Sequence, residues 1–220
     1  MMWRWWRWGA TALLVMALPA SAGMLSGAAI PATAAIESRY GAIGLARVQQ
    51  WQALITRLRG RPVAAQLAGV NDFFNRLDFV DDLDIWRVED YWATPIEFLG
   101  IGRGDCEEFA LAKYLTLREL GVPDDQMRLH YVKYVPYDQF HMVLSWAASP
   151  QQMPVILDNI DKRIAPAVSR RDLIPIYSFN GSSLWTSTAS GEEAPAGGAN
   201  RLSRWENWQV RVRDGVMRSP

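Results

Sequence analysis

The hydrophobic pattern of this chain changes period once, at Gly121 and Pro123, and that change limits the folds open to it. Upstream, apolar residues recur at helical spacing. In 36–60, Ile43, Val48, Trp51, Leu54, Ile55 and Leu58 fall on one face before Gly60 and Pro62 stop the run. Residues 63–79 carry a second stripe of Val63, Leu67, Val70, Phe73, Phe74 and Leu77. An acidic, aromatic connector follows at 81–90, and Thr94-Pro95 leads into a short helix at 96–99. The clearest helix is 105–120: Asp105 is a good N-cap, Glu108 completes a capping box, and Gly121 and Pro123 end it. Downstream the period is two, and 127–135, 141–147 and 154–160, rich in Val, Leu, Ile and Tyr, read as strands. Helices followed by consecutive strands predict an α+β domain with an antiparallel sheet. Residues 186–200, rich in Ser, Ala and Gly, read as a mobile loop. The tail 201–212, with Trp205, Trp208, Val210 and Val212, packs back on a single domain spanning 36–212.

Composition agrees with a folded globular chain: of 220 residues, half are hydrophobic and 21% are charged. Lys plus Arg (23) equals Asp plus Glu (23), and no basic stripe lies outside the first residues, which speaks against a nucleic-acid binder. Those first residues differ from the rest. Arg4 and Arg7 precede an apolar run from Ala10 to Leu18, and Ala20-Ser21-Ala22 offers a small-x-small cleavage site. This pattern predicts a secretory signal over 1–22, with a later cleavage as far as 34 at Ala32-Thr33-Ala34. The run is short of the roughly 20 residues needed to span a bilayer, so no membrane insertion of the mature chain is expected.

Export sharpens the meaning of the only cysteine, Cys106. Exported proteins usually pair their cysteines, and this one has no partner. It stands at the first turn of the 105–120 helix, after the flexible Gly100-Ile101-Gly102-Arg103-Gly104, where unpaired amides and the helix dipole stabilise a thiolate. Core filler on an apolar helix face is the competing reading. A nucleophile needs a base, and the chain has two histidines. His130 lies inside a strand-like run, where a structural role is expected, whereas His141 begins a strand. If 141–147 and 152–158 pair as a hairpin around Ala148-Ser149-Pro150-Gln151, His141 faces Asp158 across the ladder, close enough for a carboxylate to orient the imidazole. Asp138 and Asp161 compete for that part without such a register. Asp105, Glu107 and Glu108 surround the thiol. They serve as helix-start acids in one reading and as oxygen ligands for a hard cation such as Ca²⁺ in the other.

The block Gly104-Asp105-Cys106-Glu107-Glu108-Phe109-Ala110, with Ala112-Lys113-Tyr114 and Leu117-Arg118-Glu119-Leu120-Gly121, resembles the cysteine block of the bacterial transglutaminase-like cysteine proteinases, LapG type. His141-Met142-Val143-Leu144 and Leu157-Asp158-Asn159 match its histidine and aspartate blocks. Asn71-Asp72-Phe73-Phe74-Asn75, Tyr177-Ser178-Phe179-Asn180 and Trp185 are similar as well, so the likeness covers roughly 36–185. The resemblance implies a papain/transglutaminase-like fold, a catalytic triad of Cys106, His141 and Asp158, and calcium dependence with Asp105 and Glu107 as ligands. Glu108 stands where the family often has Asp. It also implies a periplasmic endopeptidase that cuts the N-terminal region of a large surface adhesin at paired alanines and so promotes biofilm dispersal. The implied regulator is the periplasmic domain of an inner-membrane cyclic-di-GMP receptor. Two rival classes use the same residues: a transglutaminase, deamidase or peptide N-glycanase-like acyl transferase, and a binding module without enzymatic activity.

Overall fold

The computed structural model describes residues 29–187 and 193–220. The expected signal segment, 1–22, lies outside these residues. Helix α1 (Thr33–Leu58) is followed by α2 (Val63–Phe74), a two-residue strand β1 (Asp78–Phe79), α3 (Asp82–Trp86), α4 (Pro95–Ile101) and the short β2 (Arg103–Gly104), which pairs parallel to β1. Next come α5 (Cys106–Glu119) and the strands β3 (Met127–Tyr134), β4 (Gln139–Trp146), β5 (Val155–Leu157), β6 (Ala165–Pro166), β7 (Leu173–Phe179), β8 (Ser183–Ser187) and β9 (Glu193–Gly198). Helix α6 (Ser203–Asp214) closes the fold. Strands β3 to β9 form one antiparallel sheet in the order β6-β5-β4-β3-β7-β8-β9. Among the described residues no helix is long and apolar enough to cross a membrane.

The architecture turns on α5. Every residue from Cys106 to Leu117 is buried, the mark of a central helix rather than an amphipathic surface one. The helical face of the sheet supplies Met127, Leu129, Met142, Leu144, Leu157 and Phe179 to the same core. Strand alternation sends Val132, Val143 and Ile156 to the opposite face, where Ala167 and Leu173 cover them. On the far side of α5, Trp51 of α1 is buried and donates its Nε1–H to Thr116 Oγ1 (2.8 Å), so an interior polar atom finds its partner. Helix α6 buries Trp205, Trp208 and Val212, spaced at helical intervals, with Trp205 packed edge-on against Tyr114 and Phe179. The tail therefore packs back as expected, although Val210 lies on the exposed side.

Several expected boundaries move. Helix α1 begins at Thr33 and breaks at Gly41, whose φ of +72° suits a residue without Cβ. Beyond the break the buried stripe runs through Gly44, Val48, Trp51, Leu54 and Leu58, and Ile43, one position off it, is 72% exposed. Helix α2 stops at Phe74 rather than 79, and Asp78–Phe79 pairs with Arg103–Gly104 instead. The connector 81–90 contains α3. The expected loop 186–200 is largely a sheet edge: β9 pairs with β8 from Ser187–Glu193 to Ser183–Gly198. Its sequence, Glu-Ala-Pro-Ala-Gly-Gly, has little strand propensity. Pairing and the bonds of Glu193 to Arg128 and Ser178 hold it in place.

Candidate active site

Helix α5 starts with its cap in order. Asp105 accepts from the Glu107 N–H (3.3 Å), and Glu108 Oε2 accepts from the Asp105 N–H (2.9 Å), so the capping box read from sequence is formed. This sets Cys106 at the first helical position, buried against the sheet. Pairing of β4 with β5 ends at Leu144–Leu157, and two residues further along β4 the Met142 backbone amide comes near the Cys106 sulfur, working weakly against the burial of the thiol. This places the thiol beside the strand that carries His141.

His141 is buried, and its Nε2 lies 2.8 Å from Asp158 Oδ1. The pair forms, but not through the expected register. Observed partners are Leu144–Leu157, Ser145–Ile156 and Trp146–Val155, shifted by two residues, because the connection between the strands runs over 147–154 rather than four residues. A two-residue shift keeps each side chain on its face. Asp158 therefore sits diagonally from His141, just past the end of β5, still within reach of an imidazole. With Nε2 engaged, Nδ1 is the nitrogen left for a proton from elsewhere. Burial pushes the Asp158 carboxyl up, but its bonds to His141, the Ile160 N–H and Arg170 outweigh that and hold it well below the usual carboxylate range. The competitors point elsewhere: Asp138 pairs with Lys133 and Asp161 with Arg163. His130 is held by Ser145 Oγ (2.8 Å) and lies near Glu193, the structural place expected of it.

The acids form a tighter cluster than the sequence suggested. Asp105 belongs to two groups of ligand atoms within 4.8 Å of one another, one with Cys106 and Glu107, the other with Asp82 and Glu108. Asp82, in α3, was not singled out from the sequence, since nothing in an acidic connector marks one residue as buried. Its Oδ2 accepts from the Tyr91 N–H (2.5 Å), while its buried Oδ1 has no partner. Burial first, then Asp105, pushes its pKa up to about 8. Glu107 and Glu108 are likewise raised by burial and by Asp105. An all-oxygen, partly orphaned, buried carboxylate set fits a hard dication of the Ca²⁺ kind. The thiol donates to Glu107 Oε2 (2.8 Å), and burial together with the charges of Glu107 and Asp105 raises its pKa well above the ordinary value.

A helix-start thiol set against an antiparallel sheet whose neighbouring strands bring a histidine and an aspartate together is the framework of the transglutaminase-like cysteine proteinases. Residues 49–188 match the family described as bacterial transglutaminase-like cysteine proteinase, BTLCP, and the chain belongs to that family. Solved structures agree. The chain is similar to Legionella pneumophila LapG in its EGTA-treated form, at 37% identity and a TM-score of 0.72, covering 83% of this chain and 98% of that one. It is similar to the calcium-bound form at 38% identity and a TM-score of 0.70, covering 81% and 96%. No curated protein matches. The papain/transglutaminase-like α+β fold expected from the sequence is thus the fold of the molecule.

Proposed function

We propose that this protein is an exported, calcium-dependent cysteine endopeptidase that cuts the N-terminal region of a large surface adhesin in the periplasm. The observation that carries the reading is a cysteine at the start of α5, packed on β4, with a buried His141–Asp158 pair built on that strand. In this mechanism His141 Nδ1 takes the thiol proton, and the sulfur attacks the scissile carbonyl carbon. Amides at the start of α5 stabilise the oxyanion. His141 then protonates the departing amine, and water, deprotonated by the same imidazole, resolves the thioester. Asp158 holds the ring in one tautomer and offsets its charge.

Glu107 must let go of the thiol before His141 can take its proton. Asp105 and Glu107, with Asp82 and Glu108 beside them, are the residues that would hold calcium; bound there, the ion would neutralise the carboxylates around the sulfur and bring its pKa down. The calcium-bound and EGTA-treated forms of the similar Legionella LapG support this part. The adhesin, biofilm release and control by the periplasmic domain of a cyclic-di-GMP receptor follow from the family likeness alone. The test is incubation of the mature protein with candidate adhesin N-terminal regions and a labelled amine, with and without chelator. Calcium-dependent backbone cleavage, lost in Cys106→Ala, is expected. Amine incorporation without cleavage would make the protein an acyl transferase instead.

A further inference from the structure

His141 uses only one oxygen of Asp158, and the other is not idle. Oδ1 receives His141 Nε2 and the Ile160 N–H (3.0 Å), whereas Oδ2 receives Arg170 Nη2 at 2.7 Å. Arg170 stands at the end of the turn between β6 and β7 and is only 6% exposed. Its guanidinium also grips Asp172, through Nε (3.0 Å) and Nη2 (2.8 Å). The main chain of Asp158 is pinned too: its carbonyl accepts from Asn75 Nδ2 (2.8 Å) and from the buried Lys113 Nζ (3.0 Å). Nothing in Ser169-Arg170-Arg171-Asp172 marks Arg170 in the sequence, because Asp158 lies twelve residues back, just past the end of β5.

A catalytic imidazole alternates between neutral and charged. While it is neutral, a fully buried Asp158 would carry an unpaired charge, a costly state that protonation or rotation would relieve. A guanidinium on Oδ2 removes that cost, and its planar fork fixes the carboxylate plane. Asp172 offsets the guanidinium, so Asp158, Arg170 and Asp172 together keep one net negative charge, enough to favour the imidazolium. We propose that Arg170 is a positioning residue of this active site: acting through Asp158, it keeps the carboxylate ionised and Oδ1 aimed at His141 throughout turnover. The proposal rests on the triad reading above.

A double-mutant cycle tests it. Arg170→Met should lower kcat by about tenfold or more with KM within about twofold, and the Nε2–H resonance of His141 in the proton NMR spectrum should shift or broaden. On an Asp158→Asn background the same change should cost almost nothing further, since residues that act as a unit are non-additive. Arg170→Lys, which keeps the charge but loses the fork, should fall between. A folded Arg170→Met with wild-type kcat overturns the proposal, as do losses that simply add to those of Asp158→Asn. If Arg170→Met does not fold, Arg170→Lys decides: unchanged kcat together with an unchanged His141 resonance overturns it. Failure of the triad reading looks different, because Cys106→Ala would then be as active as wild type.

Discussion

At the scale of single residues, burial pushes Asp82, Glu107, Glu108 and Asp158 toward their neutral forms, and the neighbours of each decide whether its charge survives. Asp158 is the clearest case, ionised because His141, Arg170 and a backbone amide all bind it. Asp158→Asn should lower kcat by about 10²–10⁴-fold in steady-state assays. It should also destabilise the protein by about 1.5–3 kcal/mol in urea unfolding, since the charge-assisted bond from Arg170 is lost while Asp172 still pairs the guanidinium. His130 gives a separable effect. Burial first, then Arg128, lowers its pKa to about 4. The unfolded imidazole protonates near 6.5, so the stability of the neutral folded ring is complete above that value and lost as pH falls toward about 4. Urea unfolding at pH 7 and 4.5 should differ through this group by about 1–3 kcal/mol, and His130→Gln should remove that share of the difference.

At the scale of elements, α6 and the segment after it hold the strip that feeds the acid cluster. The N–H groups of Tyr91 and Ala93 serve Asp82 and Glu108. The carbonyls of Trp92 and Ala93 accept from Arg211 and Trp208, and buried Glu97 of α4 pairs with Arg211 (3.1 Å). Arg211→Met should therefore lower stability by about 3–5 kcal/mol by stranding Glu97, read as a fall in the urea midpoint with an unchanged slope. The sequence made the helices, the central strands and the cap of α5 legible, because each depends on local periodicity or on residues within one turn. It placed His141 and Asp158 on one face for the same reason, since a slip of two residues preserves parity. What it did not show depends on partners outside the local pattern: β9 held by Glu193, Asp82 bonded to the Tyr91 N–H, and Arg170 bonded to Asp158.

At the scale of the whole molecule, the chain keeps four acids, Asp82, Asp105, Glu107 and Glu108, crowded at the start of its central helix. Folding alone leaves them repelling one another, so a cation bound only by the folded state should stabilise it. Calcium at about 100 times its dissociation constant adds about 2.7 kcal/mol, worth roughly 5–10 °C in melting temperature for a chain of this size. Asp105→Ala should erase that shift, and equal melting with calcium and with chelator would reduce the acids to helix caps. The central claim is that Cys106 becomes acylated, and capture of that intermediate tests it most directly. The protein should be mixed with a cleavable adhesin segment in calcium, quenched in acid within the first turnovers, and peptide-mapped by mass spectrometry. The predicted result is a thioester adduct on Cys106, diminished in His141→Ala and absent from Cys106→Ala along with all cleavage. Cleavage that persists in Cys106→Ala, or an adduct on any other residue, would contradict it.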